Sequence, residues 1–549
     1  MGHHILAKLK NASTEDWLLF FSLFSCLFLV RNYMNMDAWF ILNCGRYVDM
    51  NGIPHIDPFT FHDNLHYVMQ QWLFALAIWK AYSFFGMNAM LVYPYLSSVF
   101  VVLVEASLVW AVAGKNRFVS ACMTIPVCGV FCLVFATQRP WTVSLAAFAF
   151  ELFLLEYFRK DGNLRIVSVL FFLLSVLCVN IQSAMWPMLV VLLLPYIADS
   201  LFKTRLSRFV PCEEGWKTKS LLALLLVIVI GGFVNPYGME GMGYTFTTYG
   251  KPSINESITE MFRLSADNPF SSGMILLILV AVAFYARHPV PLRFLCLSAG
   301  TAFMSFLAVR NTAFFLFFGL LGIAYHYKAW IPSCRIHKST IVACSVFAAL
   351  LLLSSWELIF ASFSAHPLAT AAFIAIPLFC AAVFREHRWF CALSLILLAC
   401  APKFLVALQV PLVDPALVES VRTIQEDDKH ADIVSDFTDG GYAEFMGLRC
   451  YDDGRADALI KEANWKKDYI KERTELRNGA LDYKEFFARY PEVTHVISHG
   501  EDLLFVYLMN DLDFELVYDS GKPDNRYQDE SSFYKLGYGN EEYRVFRRK

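Results

Sequence analysis

Apolar tracts long enough to cross a bilayer follow one another from about residue 15 to about residue 408, separated by short connections that carry most of the charge. A crossing helix needs about 17–25 mostly apolar residues. That length selects segments near 15–34, 88–113, 118–137, 141–158, 165–181, 183–202, 218–235, 270–286, 293–309, 311–327, 338–355, 367–384 and 388–408, about thirteen spans. One more apolar stretch, 67–86, contains Gln70, Gln71 and Lys80, and whether it crosses sets the sidedness of everything after it. Read as a helix lying at the outer surface, it puts the basic connections 115–117, 159–165, 203–219, 287–293, 328–338 and 385–388 on one side with Lys8 and Lys10. The connections 138–140, 181–182, 235–269, Arg310 and 356–367 fall on the other side, nearly free of Lys and Arg. This is the positive-inside asymmetry, with the basic side cytoplasmic. If 67–86 crossed, the basic loops from 159–165 onward would face outward. The pattern therefore predicts an interfacial helix at 67–86, a cytoplasmic N-terminus and an uncleaved first span.

Near residue 410 the pattern changes. Residues 423–549 are dense in Asp, Glu, Lys and Arg, with short β-like runs at 495–498, 514–518 and 543–546 and a helical stretch near 463–490. A segment of about 130 residues is large enough to enclose a core of its own. After an odd number of spans it lies outside the membrane. The predicted architecture is a polytopic all-α membrane domain, residues 1–410, with outer loops 35–87 and 235–269. A small extracytoplasmic α/β domain, residues 411–549, follows it.

Composition agrees with this. Hydrophobic residues make up 57% of the 549, above the soluble norm of about 45–50%, and mean hydropathy is +0.46. A net charge of -3 offers no basic stripe for nucleic acid. Of the 14 cysteines, Cys26, Cys122, Cys128 and Cys132 sit in apolar segments and 411–549 holds only Cys450. They read as packing residues rather than as a disulfide framework or a metal-type spacing.

The unusual polar residues gather in the two long outer loops. Asp37 stands at the end of the first predicted span, where a carboxylate is costly unless hydrated, paired or used. Its loop also carries Asp49, Asp57, Asp63 and His66; Asp57 precedes Pro58 and is suited to a turn. The second loop contains Asn235-Pro236-Tyr237-Gly238, a turn signal, and then Ser257-Ile258-Thr259-Glu260. Arg139, Arg310 and Arg263 lie at outer span ends. Such an arginine can snorkel or hold a phosphate bidentately. Carboxylates and guanidiniums at one depth on one face suit a phosphorylated lipid donor together with a nucleophilic acceptor.

Asp37, the run GRYVDMNGIPHIDPFTF and the interfacial helix with Trp72 together resemble the GT-C superfamily. Its members use lipid-linked sugar donors and include oligosaccharyltransferase catalytic subunits and the aminoarabinose and protein mannosyltransferases. The pattern DxxW…GR…GxPxxDPF is similar to that of bacterial glycosyltransferase-like membrane proteins. The resemblance continues through Gln138-Arg139-Pro140, Asn180-Ile181-Gln182, Asn235-Pro236-Tyr237-Gly238, Asp439-Gly440-Gly441-Tyr442 and Asp453-Gly454-Arg455-Ala456-Asp457. Ser257-Ile258-Thr259-Glu260 is similar to the Thr-Ile-x-Glu motif of bacterial oligosaccharyltransferases. There are two departures. The acidic pair that helps those enzymes hold a divalent metal is replaced by Gln138-Arg139-Pro140, and the acceptor-reading Trp-Trp-Asp motif is absent, Trp465 being the only Trp after residue 411.

The resemblance implies a GT-C-like membrane domain. It also implies transfer of a sugar, with inversion, from a polyprenyl-phosphate-linked donor to a glycan, lipid or protein acceptor on the outer face. Asp37 and Glu260 are then the candidate catalytic residues, Asp37 as general base. Arg310 and Arg139 would bind the donor phosphate, and Asp57, His66 and Gln182 the substrates. Glu260 either orients the acceptor or shares a divalent cation, magnesium or manganese, with Asp37; two carboxylates alone make a poor magnesium site, which favours acceptor orientation. The alternatives are a polysaccharide polymerase, a transporter or flippase of lipid-linked sugars, and a non-catalytic scaffold. Against a transporter, no repeats or broken helices are evident and the charges read as lying at span ends. Asp452-Asp453-Gly454-Arg455 reads as a tight turn with local ion pairing.

Overall fold

The computed structural model describes residues 25–30, 34–160, 162–202, 209–211, 213–329, 413–499, 503–521 and 542–549. The expected spans at 338–355, 367–384 and 388–408, and most of 15–34, lie outside the described residues. Within them the molecule is mostly helical. Five helices are long and apolar enough to cross a membrane: Met87–Val112, Arg117–Val134, Leu164–Ile181, Ser183–Phe202 and Pro269–Arg287. Thr218–Gly232 and Leu292–Leu307 are shorter apolar helices, and Trp141–Tyr157 completes the packed bundle. Asparagine sets several of these starts, because its side chain accepts the orphan first-turn N–H groups. Asn116 accepts from Phe118 and Val119, and Asn268 from Ser271.

The basic connections that the sequence placed together do meet. Arg293 is buried with its guanidinium on Glu156, Asp199 and Glu213, while Arg159 and Lys328 also bind Glu213. Arg159, Glu213, Arg293 and Lys328 come from four different connections, and with Glu156 and Asp199 of two helices they bind one end of the bundle together. The charges are not confined to span ends, however. Glu105 and Glu151 lie inside Met87–Val112 and Trp141–Tyr157 with 1% and 0% exposure, so the expectation that all charge sits at the ends is corrected.

At the other end the long outer loop is not irregular. It contains α1, Asp37–Asn51, and α2, Trp72–Phe85. Residues 38–45 and 48 are buried along α1, so most of this helix is enclosed by its neighbours on all sides. Gly45 lets the two helices approach, since a Cβ there would lie 2.1 Å from the Ala75 carbonyl oxygen. At 14 residues α2 is too short to span, in keeping with an interfacial helix. Its Phe84 and Phe85 are exposed.

Residues 413–549 carry a five-stranded sheet of order β2-β1-β3-β5-β4. The strands are β1 Asp432–Val434, β2 Arg449–Cys450, β3 Val493–His499, β4 Phe514–Asp519 and β5 Tyr543–Arg548. β2, β1 and β3 are parallel, and β5 pairs antiparallel with β3 and β4. The expected helical stretch near 463–490 is three helices, Lys461–Asn464, Tyr469–Arg477 and Tyr483–Arg489. Contrary to expectation, this part does not enclose its core alone. Trp39, Leu42, Val48 and Phe74 of the outer loop share one apolar cluster with Leu417, Ile424, Ile433 and Val545. Thr60 bridges to Cys450 and Phe61 donates its N–H to the Cys450 carbonyl, so the loop covers the β2 edge that would otherwise present unpaired backbone groups.

Candidate active site

Asp37 owes its position to three neighbours in sequence and space. Asn35 accepts the Asp37 N–H through Oδ1 at 2.9 Å. The Asn35 N–H is in turn held by Gln138 Oε1 at 3.1 Å, and Gln138 donates to the Met90 carbonyl. Asp37 then opens α1, where a carboxylate meets the positive end of the helix dipole. Arg139, next to Gln138, reaches the same carboxylate with Nη2 2.5 Å from Asp37 Oδ2. Its Nη1 donates to both Glu260 oxygens at 3.0 and 3.2 Å. Gln138-Arg139-Pro140 therefore ties the start of α1 to the second outer loop.

These residues open on a cavity of about 710 Å3 lined by Asp37, Gln70, Arg139, Gln182, Tyr244, Glu260, Arg310 and Asp457 among others. Gln182 accepts from Ser144 at 2.8 Å. Arg310, beyond the end of Leu292–Leu307, has its guanidinium 5.9 Å from the centre of the Trp141 ring. Among the described residues no carboxylate lies within ion-pair distance of it. Arg139, by contrast, is engaged by two carboxylates.

Two expected residues lie elsewhere. Asp57 is buried away from the cavity, bound to Arg455, which also holds Asp453 at 2.5 Å, and accepts from the Thr60 N–H and hydroxyl. It anchors the outer loop to the C-terminal domain, a structural duty that corrects its assignment to substrate. His66 stacks on Trp465 with ring centres 3.7 Å apart and lies 3.4 Å from Glu240. It lines a smaller cavity of about 140 Å3 that shares Tyr67, Val68, Tyr244 and Ala458 with the main one.

Sequence reasoning missed Asp457, Gln70 and Tyr244. Asp457 Oδ2 accepts from Gln70 Nε2 at 2.8 Å and from the Tyr244 hydroxyl at 3.0 Å, so the C-terminal domain places a third carboxylate in the cavity. The signal was present in Asp453-Gly454-Arg455-Ala456-Asp457, which carried part of the resemblance but overlaps Asp452-Asp453-Gly454-Arg455, read as a turn. Gly454 packs directly on the first carboxylate: a Cβ there would lie 3.2 Å from Asp37 Oδ1 and 2.7 Å from Phe40 Cδ1.

The three carboxyls differ in acidity. Burial pushes Asp37 above the usual carboxylate range, against the lowering pull of Arg139, with Glu260 and Asp457 adding to the rise. Burial also acts to raise Glu260, but Arg139 and Arg310 outweigh it and leave that group below its ordinary value. Asp457 is raised, by burial first, and the Tyr244 hydrogen bond only partly offsets this. Carboxyls pushed apart in acidity mark acid–base assignments, and Asp37 is the more basic of the pair on Arg139. A divalent cation between Asp37 and Glu260 does not fit this arrangement, because the Arg139 guanidinium already spans the two. Among the described residues no group of three His, Cys, Asp or Glu side chains is placed to hold a metal ion.

No protein-family model matches the chain, and no curated protein matches it. Solved structures do. The archaeal oligosaccharyltransferase AglB from Archaeoglobus fulgidus, in complex with an inhibitory peptide and a dolichol-phosphate, has a TM-score of 0.51 at 12% identity, covering 88% of this chain and 69% of its own. An Archaeoglobus fulgidus oligosaccharyltransferase tethered by a disulfide bond to an acceptor peptide containing the NVT sequon gives 0.50 at 11%, covering 88% and 68%. ArnT from Cupriavidus metallidurans in the apo state gives 0.46 at 11%, covering 97% of this chain and 98% of its own. The likeness is one of fold, shared with the archaeal oligosaccharyltransferase structures.

Proposed function

We propose that this chain is a membrane glycosyltransferase that moves a sugar from a polyprenyl-phosphate-linked donor to an acceptor on the outer face of the membrane, with inversion. The observation that carries the reading is one cavity in which the most basic carboxylate of a pair, Asp37, faces the same space as Arg310, a guanidinium without a carboxylate partner among the described residues. The basic loops support a cytoplasmic N-terminus and an extracytoplasmic C-terminal domain.

The donor reaches the cavity laterally from the bilayer and its phosphate is met by Arg310. An acceptor hydroxyl or amide lies within hydrogen-bond reach of Asp37, which takes its proton as the acceptor atom attacks the anomeric carbon. The bond from that carbon to the phosphate oxygen breaks on the opposite face, and the lipid phosphate leaves with the electron pair. Since the phosphate leaves readily, most of the acceleration comes from positioning and charge stabilisation. Glu260, Asp457, Gln182 and Tyr244 orient the acceptor. The aglycone-side cavity bounded by His66 and Trp465 adjoins this position and is open to the acceptor's remainder.

The test compares wild type, Asp37→Asn and Glu260→Gln in the native host with the chromosomal copy deleted, read by mass spectrometry of polyprenyl-linked sugars and envelope glycans. Loss of one glycan with accumulation of one lipid-linked sugar, in both the deletion and Asp37→Asn, is expected. Wild-type behaviour of Asp37→Asn beside a deletion phenotype removes Asp37 as base.

A further inference from the structure

We infer that Arg139 is a built-in cation, occupying the position between Asp37 and Glu260 where a divalent metal would otherwise be required, so that this site assembles without one. The inference deepens the transferase reading and rests on it only for the meaning of the site, not for its charge arrangement. Two carboxylates that converge on a cavity repel each other, and a positive charge between them favours the ionised form of both. Here that charge is covalent. Arg139 presents one nitrogen to Asp37 at 2.5 Å and another to Glu260 at 3.0 Å, the forked geometry for which a guanidinium is suited.

The substitution has chemical consequences. A guanidinium stays charged throughout the accessible pH range, cannot be chelated and is not exchanged with solvent. It is also planar and monovalent, whereas magnesium demands about six oxygen ligands at about 2.0–2.1 Å in octahedral array. The flanking residues agree: Gln138 and Pro140 supply no third carboxylate, and Gln138 is instead committed to Asn35 and the Met90 carbonyl. Because Arg139 precedes Trp141–Tyr157, the spacing of the two acids is fixed by the bundle itself. Arg139 is thus a positioning residue, and the phosphate is left to Arg310.

The test is Mn2+ binding by electron paramagnetic resonance on the purified full-length protein in lipid nanodiscs, for wild type, Arg139→Asp and Arg139→Gln. Wild type is expected to hold no bound Mn2+. Arg139→Asp, which turns the cation position into a third carboxylate, is expected to gain a site at least about tenfold tighter, as ligand charge sets affinity at such sites. Where Arg139→Asp misfolds, Arg139→Gln serves: it removes the cation without adding charge, and a weaker gain is expected. Stoichiometric Mn2+ in wild type that is lost in Asp37→Asn overturns the inference, as does the absence of any gain in both folded variants. In membranes, glycan transfer that survives EDTA supports it, and transfer abolished by EDTA and restored by Mn2+ overturns it. The resonance result does not depend on any sugar being transferred. A wild-type glycan profile in Asp37→Asn therefore removes Asp37 as the base while leaving the cation assignment to stand or fall separately.

Discussion

Gly454→Ala is the sharpest probe of how the C-terminal domain serves the cavity. The added methyl would sit 2.7 and 3.0 Å from two carbons of the Phe40 ring and 3.2 Å from Asp37 Oδ1. Phe40 is buried within α1, so the ring cannot simply swing into solvent, and either the loop retreats or α1 shifts. Overpacking of this kind costs about 1–3 kcal/mol, small enough for the protein to remain folded. The functional loss is expected to be larger in proportion, because a displacement of about 1 Å at a catalytic group costs about 100-fold in rate. Thermal unfolding and transfer rate, measured on the same detergent-purified protein, separate the two. Gly300→Ala is the control: nothing lies within 4 Å of its Cβ position. Wild-type turnover in Gly454→Ala with an unchanged unfolding transition would refute the claim that this loop rests on Asp37.

Four further expectations follow from the same contacts. The transfer rate should fall on acidification through an Asp37 pKa that lies above the ordinary carboxylate range, since protonation removes the base; an acid limb at or below that range, in a pH–rate profile, contradicts the assignment. Arg455→Met leaves Asp57 and Asp453 buried without their cation and should cost about 3–5 kcal/mol, seen as an earlier unfolding transition and proteolytic release of the C-terminal domain. Burial acts to raise Asp57 and Arg455 more than offsets it, so that anchor's contribution is present above the ordinary carboxylate range and is lost as pH falls through the depressed Asp57 pKa; docking that is insensitive to acid argues against it. Arg310→Lys should weaken donor use more than acceptor use, because a point charge replaces the bidentate fork, and equal effects on both KM values would count against a phosphate contact.

Much of the arrangement was legible because it rests on local rules. The lengths of apolar tracts gave the helices from 88–113 through 311–327, and the alternation of basic and non-basic connections placed Arg159, Glu213, Arg293 and Lys328 at one end, where they do interlock. Asp37, Arg139, Glu260 and Arg310 were grouped correctly at the opposite end for the same reason. What escaped was set by long-range contact. Asp57 looked like a turn acid because its partner, Arg455, is 398 residues away. Asp457 follows a segment that reads as a turn, and its hydrogen bonds come from Gln70 and Tyr244 in two separate loops. Glu105 and Glu151 were overlooked because a single acid barely dents the hydropathy of a long span.

The order of strands also governs how the protein is made. β5 follows the other strands in the chain yet lies inside the sheet, between β3 and β4, while α1 emerges near the beginning. At about 5–20 residues per second, translation leaves α1 waiting about 20–80 s for Arg455 and longer for β5. Throughout that interval its apolar face has α2 and earlier-made residues such as Met90, Tyr237 and Tyr244 for company, but not Leu417, Ile433 or Val545. A ribosome stalled before residue 543 yields a chain whose bundle is inserted but whose sheet lacks an interior strand. The sheet beside the cavity therefore gains an interior strand only after every segment that lines the cavity has been made.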